Sequence, residues 1–556
     1  MATTLETGAA ARAAPRGYPD LHDHIESLRE AGLLHVIDAP VNKDTELMTL
    51  VRWQFRGGIP EADRKAFLFT NLTDSLGRKY DMPVVVGALA SNPAIYSIGM
   101  GAALDDIGPH WDRAHANPVE PVTVEDAPCQ QVVVTGDELR GEGKGLDALP
   151  VPISCPGFDS APYFTATCCV SRDPETGIQN MGTYRAGLKA PDRLAVKFFV
   201  NMRQGGYYHW QQHRARGERM PFAVVLSCPP ALAYVGPLKM PYGVDEVAVA
   251  GGVVGAPIRV VKAKTVDLMV PADAEIVVEG FIEPDMFEPE APFGESHGHV
   301  NTEEYNFIME VTAITRRSDA VLSTIISQVT PSESSVIKRV AYEPKLLSHL
   351  RDHLGIKGVK RVSMHEPLTN IRRVLFVVFE RGVPATEIWR ALYGASSLDS
   401  SWGKYVIAVN EDIDPDNGDA VLWALAYRAN PALDIQILGH RDRGHGPALQ
   451  RGDGQDATML IDATLKADMP PVALPKKEYM EHAKTLWEKL GLPALKPEAP
   501  WFGYSLGDWS DEWDAMAKRA AEGHYLENGR RSAQLRRNDV APNTSIRDVP
   551  DAKRDT

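Results

Sequence analysis

The sequence predicts an α+β fold assembled from several domains, and three observations predict it. The chain has 556 residues, enough for roughly two to four domains with large cores. Between Pro128 and Ser327, β-branched runs follow one another, each bounded by Gly, Pro or Asp. That pattern reads as a predominantly antiparallel sheet or barrel. After residue 331 a helical stretch leads into alternating strand and helix patterns, as expected of a separate α/β domain.

Composition narrows the function classes. With 44% hydrophobic and 24% charged residues the chain is an ordinary globular protein. A net charge of −15 argues against nucleic acid or an anionic membrane as partner, and no apolar run approaches the about 18 residues needed to span a bilayer. Met1 to Pro15 is rich in Ala and Thr without an apolar segment, so residues 1–18 read as a disordered leader rather than a secretory signal. The cysteines are Cys129, Cys155, Cys168, Cys169 and Cys228. Their odd number and lack of CxxC spacing fit reduced thiols and a cytoplasmic location.

In chain order, residues 19–57 read as helical, with Leu21, Ile25, Leu28 and Leu33 at helical spacing and a second helix from about Asp44 to Phe55. Residues 66–86 read as short strands, completing an N-terminal α/β part over 19–127. The strand-rich domain covers 128–330 and includes a helix across His209 to Arg219. The glycine-rich run Ala250 to Gly255 departs from GxGxxG and serves turn or packing roles rather than nucleotide binding. A connector helix spans 331–355, with Val336, Ile337, Val340, Leu346, Leu347 and Leu350 on its apolar face. Residues 356–492 form the α/β domain. There Asp412, Asp414 and Asp416 mimic an EF-hand start, but Asn417 and Trp423 stand where glycine and glutamate are needed, which excludes calcium. Residues 493–556 read as a Pro-rich linker, an aromatic docking segment from Trp501 to Ala521 and a mobile polar end.

The stretch Glu290-Ala-Pro-Phe-Gly-Glu295-Ser-His297-Gly-His299 is the chemical focus. Proline and glycine predict a tight turn across 290–295 that draws two carboxylates toward one site, where repulsion or burial would raise one pKa. Spacing alone favours a solvated acidic loop. Three other places complement it. In Asn180-Met-Gly-Thr183-Tyr184-Arg185, Asn180 and Arg185 would face opposite ways on a straight strand unless Gly182 supplies a bulge. Arg185 could hold an anion bidentately. Glu246 follows a proline–glycine turn; an acidic residue there suits a helix start, or could join the Asn180 amide oxygen as a hard metal ligand. Lys197, Phe198 and Phe199 with Arg203 suit a phosphate and a ring, or a sheet edge. Zinc at His297 and His299 is disfavoured, because glycine at 298 and the lack of a helix remove the i, i+4 geometry.

These segments together resemble the UbiD-like family of reversible decarboxylases, which use prenylated FMN. The resemblance rests on Ala127 to Gly136, Asp173 to Arg185, Val266 to Gly280, Glu290 to Gly298 and Glu411 to Pro415, and runs from about residue 20 to 490. It implies a split β-barrel flavin-binding domain over 128–330 and a C-terminal α/β oligomerisation domain. It also implies that Asn180 and Glu246 ligate a divalent metal such as Mn2+, with K+ as a further cation. Thr183, Tyr184, Arg185, Lys197, Phe198 and Phe199 match flavin-contacting positions, as does either Arg203 or Gln204. Arg185, Glu290 and Glu295 match the catalytic Glu-Arg-Glu network, with Glu295 at the position of the proton donor. A phosphate-contacting lysine of some members falls at Leu398 here, with Lys404 nearby.

The implied activity is reversible non-oxidative decarboxylation of an aromatic or heteroaromatic acid, or its CoA thioester, through a covalent adduct with prenylated FMN. The implied partners are a flavin prenyltransferase as cofactor supplier and further copies of the chain, as a homodimer or homohexamer. Two other readings stay open at this point: an FMN-dependent oxidoreductase, and a non-catalytic subunit of a multi-subunit carboxylase. The spectrum of the extracted flavin separates the first, and activity of the isolated chain the second.

Overall fold

The computed structural model describes residues 16–198, 204–238, 240–290, 292–301, 304–442, 456–466, 469–496, 509–544 and 549. A nine-stranded sheet dominates residues 128–330. Its path runs Gln179–Gly182, Thr167–Arg172, Met220–Leu226, Ile276–Glu290, Glu304–Arg316, Arg193–Val196, Ala186–Ala190 and Tyr163–Phe164, with Val132–Thr135 added alongside Glu304–Arg316. Every pair in it is antiparallel, and among the described residues the path does not close into a barrel. Period-two alternation decides what each face buries. Phe222, Val224 and Leu226 enter one core with Ile276 and Val278, while Ala223 and Val225 enter another with Val277.

Around this sheet the N-terminal elements are short. Helix Leu21–Glu30 starts at a capping box between Asp20 and Asp23, and Leu33 lies beyond its end. Helix Leu47–Arg56 follows. Leu34–Ile37, Ala66–Phe69 and Val84–Val86 join Leu322–Thr324 in a four-stranded sheet, so the end of the strand-rich stretch completes the N-terminal layer. Tyr18, assigned to the leader by sequence, is buried, and its hydroxyl donates to Asp273 at 2.7 Å. The leader is therefore ordered by residue 18; residues 1–15 lie outside the described ones.

Two helices frame the site. The predicted helix at His209 to Arg219 spans Gly205–Ala215 instead, beginning four residues earlier than its histidine-rich part suggests. The connector helix is Glu333–Ser348, continued by a π turn to His353 and started by the Ser332/Ser335 capping box. Its buried Glu333 accepts backbone N–H groups of Gly87, Leu89, Ala90 and Ile326. Val336, Ile337, Leu346 and Leu350 are buried on the predicted face.

Beyond it, Val359–Met364, Val374–Phe379, Tyr405–Asn410, Asp456–Asp462 and Ile435–Arg441 make a five-stranded sheet in that order, with helices Ala385–Ser397 and Gly418–Arg428 between strands. Asp412 accepts two bonds from Arg428, at 3.0 and 2.6 Å, which gives this aspartate an ion-pair role in place of an EF-hand one. The described residues fall into two compact units, one from Met1–Val377, Trp389–Ile407 and Gln436–Leu460, the other from Val378–Ile388, Ala408–Ile435 and Ile461–Thr556. In the tail, read as docking segment and mobile end, Asp511–Ala521 and Tyr525–Gln534 are helical; 501–508 lie outside the described residues. No described helix is long and apolar enough to cross a membrane.

Candidate active site

Arg185 brings the two carboxylates together. Its Nε donates to Glu290 Oε1 at 2.9 Å and its Nη2 to Glu290 Oε2 at 2.8 Å, while Nη1 donates to Glu295 Oε2. All three side chains are buried, each with less than a tenth of its surface exposed. Burial works against the guanidinium charge, but Glu295 and Glu290 more than offset it and hold Arg185 above its ordinary value. Asn306, inside the neighbouring strand, donates to Glu290 Oε2 at 2.7 Å. Glu290 thereby has partners for both oxygens, as a buried carboxylate requires.

The backbone around these residues differs from the expectation in two ways. Glu290 ends the long strand Ile276–Glu290, and Phe293–Gly294 pairs with Val300–Asn301. The tight turn therefore lies over Glu295–Gly298, where Gly298 adopts φ +90° and donates to the Glu295 carbonyl at 3.0 Å. Gly294 is needed for space: a Cβ there would stand 2.2 Å from Cys155 Sγ. Nor does Gly182 form a bulge. The strand Gln179–Gly182 stops, Thr183 to Arg185 leave it, and Ala186–Ala190 begins a strand in another part of the same sheet. Backbone bonds pin the crossing. Thr183 N–H donates to Gly236 O at 3.1 Å, Tyr184 N–H to Thr167 Oγ1 at 3.1 Å, and Thr167 Oγ1 to Tyr184 O at 2.7 Å.

On the other side of that crossing, Asn180 and Glu246 line one cavity of about 280 Å³ with Asp173, Gly205, His209 and Tyr242. Asp245 caps helix Glu246–Val254 by accepting from Val247 and Ala248, so the capping role considered for Glu246 belongs to its neighbour. Glu246 accepts Met181 N–H at 2.9 Å, and burial pushes its carboxyl up to about 7. Gly205 starts its helix without a side-chain cap, and a Cβ on it would stand 1.9 Å from Asn180 Oδ1. Tyr184 joins the two sides: its hydroxyl accepts from Asn180 Nδ2 and from Gly206 N–H, each at 3.3 Å.

The remaining candidates are placed less centrally. Lys197 pairs with Glu304. Phe198 is buried among Tyr184, Phe222 and Phe307. Neither lines the cavity, while Phe199 and Arg203 lie outside the described residues. Lys404 pairs with Asp456 at 3.0 Å. His297 Nε2 stands 3.2 Å from Asn301 Oδ1, and among the described residues no three His, Cys, Asp or Glu are grouped to hold a metal. Sequence reasoning missed several neighbours. Phe293 packs between Tyr163, ring centroids 4.3 Å apart, and the Arg185 guanidinium, 4.9 Å from its ring. Asp159 holds Gly294, and Lys338 on the connector helix lies in the fields of Glu295 and Arg372, with burial lowering it to about 8. The Pro-Gly turn before Asp159 was the one signal available for it; nothing marked Lys338 on its helix.

Residues 120–329 match the family model described as 3-octaprenyl-4-hydroxybenzoate carboxy-lyase Rift-related domain, and residues 335–463 match the C-terminal domain of the same carboxy-lyase. The chain belongs to the UbiD family. It is a carboxy-lyase with a mixed α+β fold of the UbiD class. An uncharacterised protein of Aquifex aeolicus is 28% identical over 521 residues, covering 85% of this chain and 99% of the relative. The UbiD-class enzyme HmfF from Pelotomaculum thermopropionicum, solved in complex with FMN, is 26% identical with a TM-score of 0.71, over 84% of this chain and 99% of that one. An evolved dimeric form of HmfF in complex with prFMN has a TM-score of 0.70 at 26% identity, with the same coverage. The 3,4-dihydroxybenzoic acid decarboxylase of Klebsiella pneumoniae, at 22% identity and a TM-score of 0.69 over 83% of this chain and 99% of that one, shares the fold.

Proposed function

We propose that this UbiD-family chain reversibly decarboxylates an aromatic or heteroaromatic carboxylic acid with prenylated FMN as cofactor. The observation that carries the reading is the buried bridge of Arg185 between Glu290 and Glu295. The HmfF complexes with FMN and prFMN support the cofactor. On this reading the nine-stranded sheet is the split-barrel flavin domain over 128–330, followed by the connector at 331–355 and an oligomerising domain at 356–492. A flavin prenyltransferase supplies the cofactor, the working form is a homodimer or larger homo-oligomer, and the free cysteines suit the cytoplasm.

The residues fit the cofactor's metal-bound phosphate. The donors at the cavity are an amide oxygen and a carboxylate, a hard-oxygen set that suits Mn2+ or a similar divalent cation. A carboxyl held near 7 by burial, with Met181 N–H as its hydrogen-bond donor, is a group that a cation would stabilise in its charged form. Asn180 and Glu246 would hold the cation, Gly205 would present its uncapped helix start to phosphate, and Thr183, Tyr184 and Arg185 would flank the ring. Prenylated FMN, when bound, supplies the electron sink for the pair left at the substrate carbon, through covalent attachment to the substrate.

The chain supplies placement and a proton. Glu290, fixed by Asn306, locks the plane of Arg185, which orients the substrate carboxylate with its charge. After carbon dioxide leaves, the Glu295 carboxyl donates its proton to the carbon that carried it. Arg185 stabilises the carboxylate that remains, which favours the donation, and a proton from solvent restores the donor for the next turnover. The step runs backward for carboxylation. Replacing Glu295 by Gln in the prenylated-FMN-loaded protein, screened on aromatic acids, should lower turnover by about 10²–10⁴-fold while the flavin stays bound. Unchanged turnover would sink the assignment.

A further inference from the structure

We infer that Asp159 is a positioning residue, which sets the Glu295 carboxyl by clamping the backbone of Gly294. The inference rests on the proposed role of Glu295 and adds a residue to it. Asp159 reaches the acidic loop from 135 residues earlier in the chain: its Oδ1 accepts Gly294 N–H at 2.6 Å and its Oδ2 accepts Cys155 N–H at 2.7 Å. The carboxylate thus ties residue 294 to the segment 155–159, which is itself folded back by Asp159 N–H donating to Cys155 O at 3.0 Å. Next to it, Ser160 N–H donates to Pro292 O at 3.3 Å. The loop is held from this one segment at 292 and 294, just before the proton donor.

Three further contacts show that the clamp has little slack. Cys155 Sγ occupies the space that a side chain at 294 would need. Tyr163, four residues beyond Asp159, packs on Phe293, whose other neighbour is Arg185. On the far side, Gly298 lies against Val329, the nearest side-chain atom being 3.3 Å from where its Cβ would stand. Without the bond to Asp159, the N–H of buried Gly294 would lose its partner, which backbone donors rarely tolerate. The loop would then move to recover one, carrying Glu295 with it. Burial raises the Asp159 carboxyl above its ordinary value, while the N–H groups of Gly294 and Cys155 and the Arg185 charge oppose that rise. Asp159 thus also adds its charge to the field around Arg185.

The test uses the full-length chain with Asp159→Ala and, as the milder change, Asp159→Asn. Hydrogen–deuterium exchange is followed in peptides covering 290–299, with strand Met220–Leu226 as the internal reference for global stability. Exchange across 292–298 should quicken about tenfold or more in Asp159→Ala while the reference strand is unchanged; Asp159→Asn, which keeps one acceptor oxygen, should fall between. If Asp159→Ala loosens the reference strand as well, Asp159→Asn alone decides, by the same comparison. In the flavin-loaded enzyme, on an acid that the wild type decarboxylates, kcat should fall about a hundredfold with KM little changed, as expected when a reacting group is misplaced. Unchanged exchange at 292–298 overturns the clamp. Faster exchange with unchanged kcat overturns its role in positioning Glu295. A wild type that decarboxylates no acid while Asp159→Ala loosens the loop leaves the clamp standing and sinks the proposed function instead.

Discussion

Arg185 meets Glu290 edge to edge, Nε on Oε1 at 2.9 Å and Nη2 on Oε2 at 2.8 Å, which leaves Nη1 for Glu295. Two parallel bonds need the flat fork of a guanidinium; an ammonium cannot form both and also reach the second carboxylate. Arg185→Lys keeps the charge and loses the geometry. It should cost about 2–3 kcal/mol of stability, because two buried carboxylates lose bonds to a charged group, and should lower turnover about a hundredfold. Urea unfolding and steady-state rates on the same preparation check both, and wild-type behaviour in either would show that charge alone suffices.

Gly205 tests the other end of the site. A methyl group there would stand 1.9 Å from Asn180 Oδ1, so Gly205→Ala displaces the amide oxygen assigned to the cation. Alanine is otherwise at ease in the first turn of a helix, so the melting temperature should stay within a few degrees. Mn2+ affinity, read by calorimetry or by electron paramagnetic resonance, should fall about tenfold or more, the range seen when metal-ligand surroundings are disturbed. Equal affinity would remove Asn180 from the ligand set.

Lys338 carries a charge that Glu295 feels. Lys338→Met removes it, and a carboxyl that loses a neighbouring cation holds its proton to higher pH. If Glu295 must be protonated to donate, the alkaline limb of kcat should move upward by a fraction of a pH unit. A pH–rate profile of the loaded variant shows the direction; a downward move would contradict the donor assignment.

His209 gives a pH dependence of stability. Burial lowers its pKa from 6.5 to about 4, against the pull of Asp173, and its Nδ1 lies 2.9 Å from Ser171 Oγ. The folded value lies below the unfolded one, so the unfolded chain binds a proton that the folded chain refuses. The stability this represents is complete above pH 6.5 and is lost as the pH falls toward 4. At pH 5 the loss amounts to about 2 kcal/mol. Wild type should therefore lose about that much more than His209→Gln between pH 7.5 and 5 in matched urea titrations.

The sequence was legible where a local rule governs. The runs Ala223 to Leu226 and Val374 to Phe379 alternate or repeat as strands do, and both are strands. The Arg185–Glu290–Glu295 grouping was visible through resemblance, since no local rule relates residues 105 positions apart. Turn chemistry misled at Gly294. Glycine can mean a positive φ or a missing Cβ, and here the second holds, because Cys155 from a distant segment fills the space. Gly182 failed in a similar way, since a strand that stops and one that bulges show the same residues. Asp159 and Lys338 were hidden because their importance lies wholly in which distant loop they face.

The crossing at Thr183, Tyr184 and Arg185 makes the length of the site a covalent quantity. Five residue steps separate Asn180 at the cavity from Arg185 at the carboxylates, at most about 17 Å of extended chain, and bonds from Thr167 and Gly236 take up the play in between. A helix can slide or a loop can breathe, but this short tether does not stretch. Substitutions here can change what the two ends bind, whereas the loss or gain of a single residue would put the ends out of step. The segment is a built-in ruler, and size selection for whatever lies along it begins with a count of amino acids.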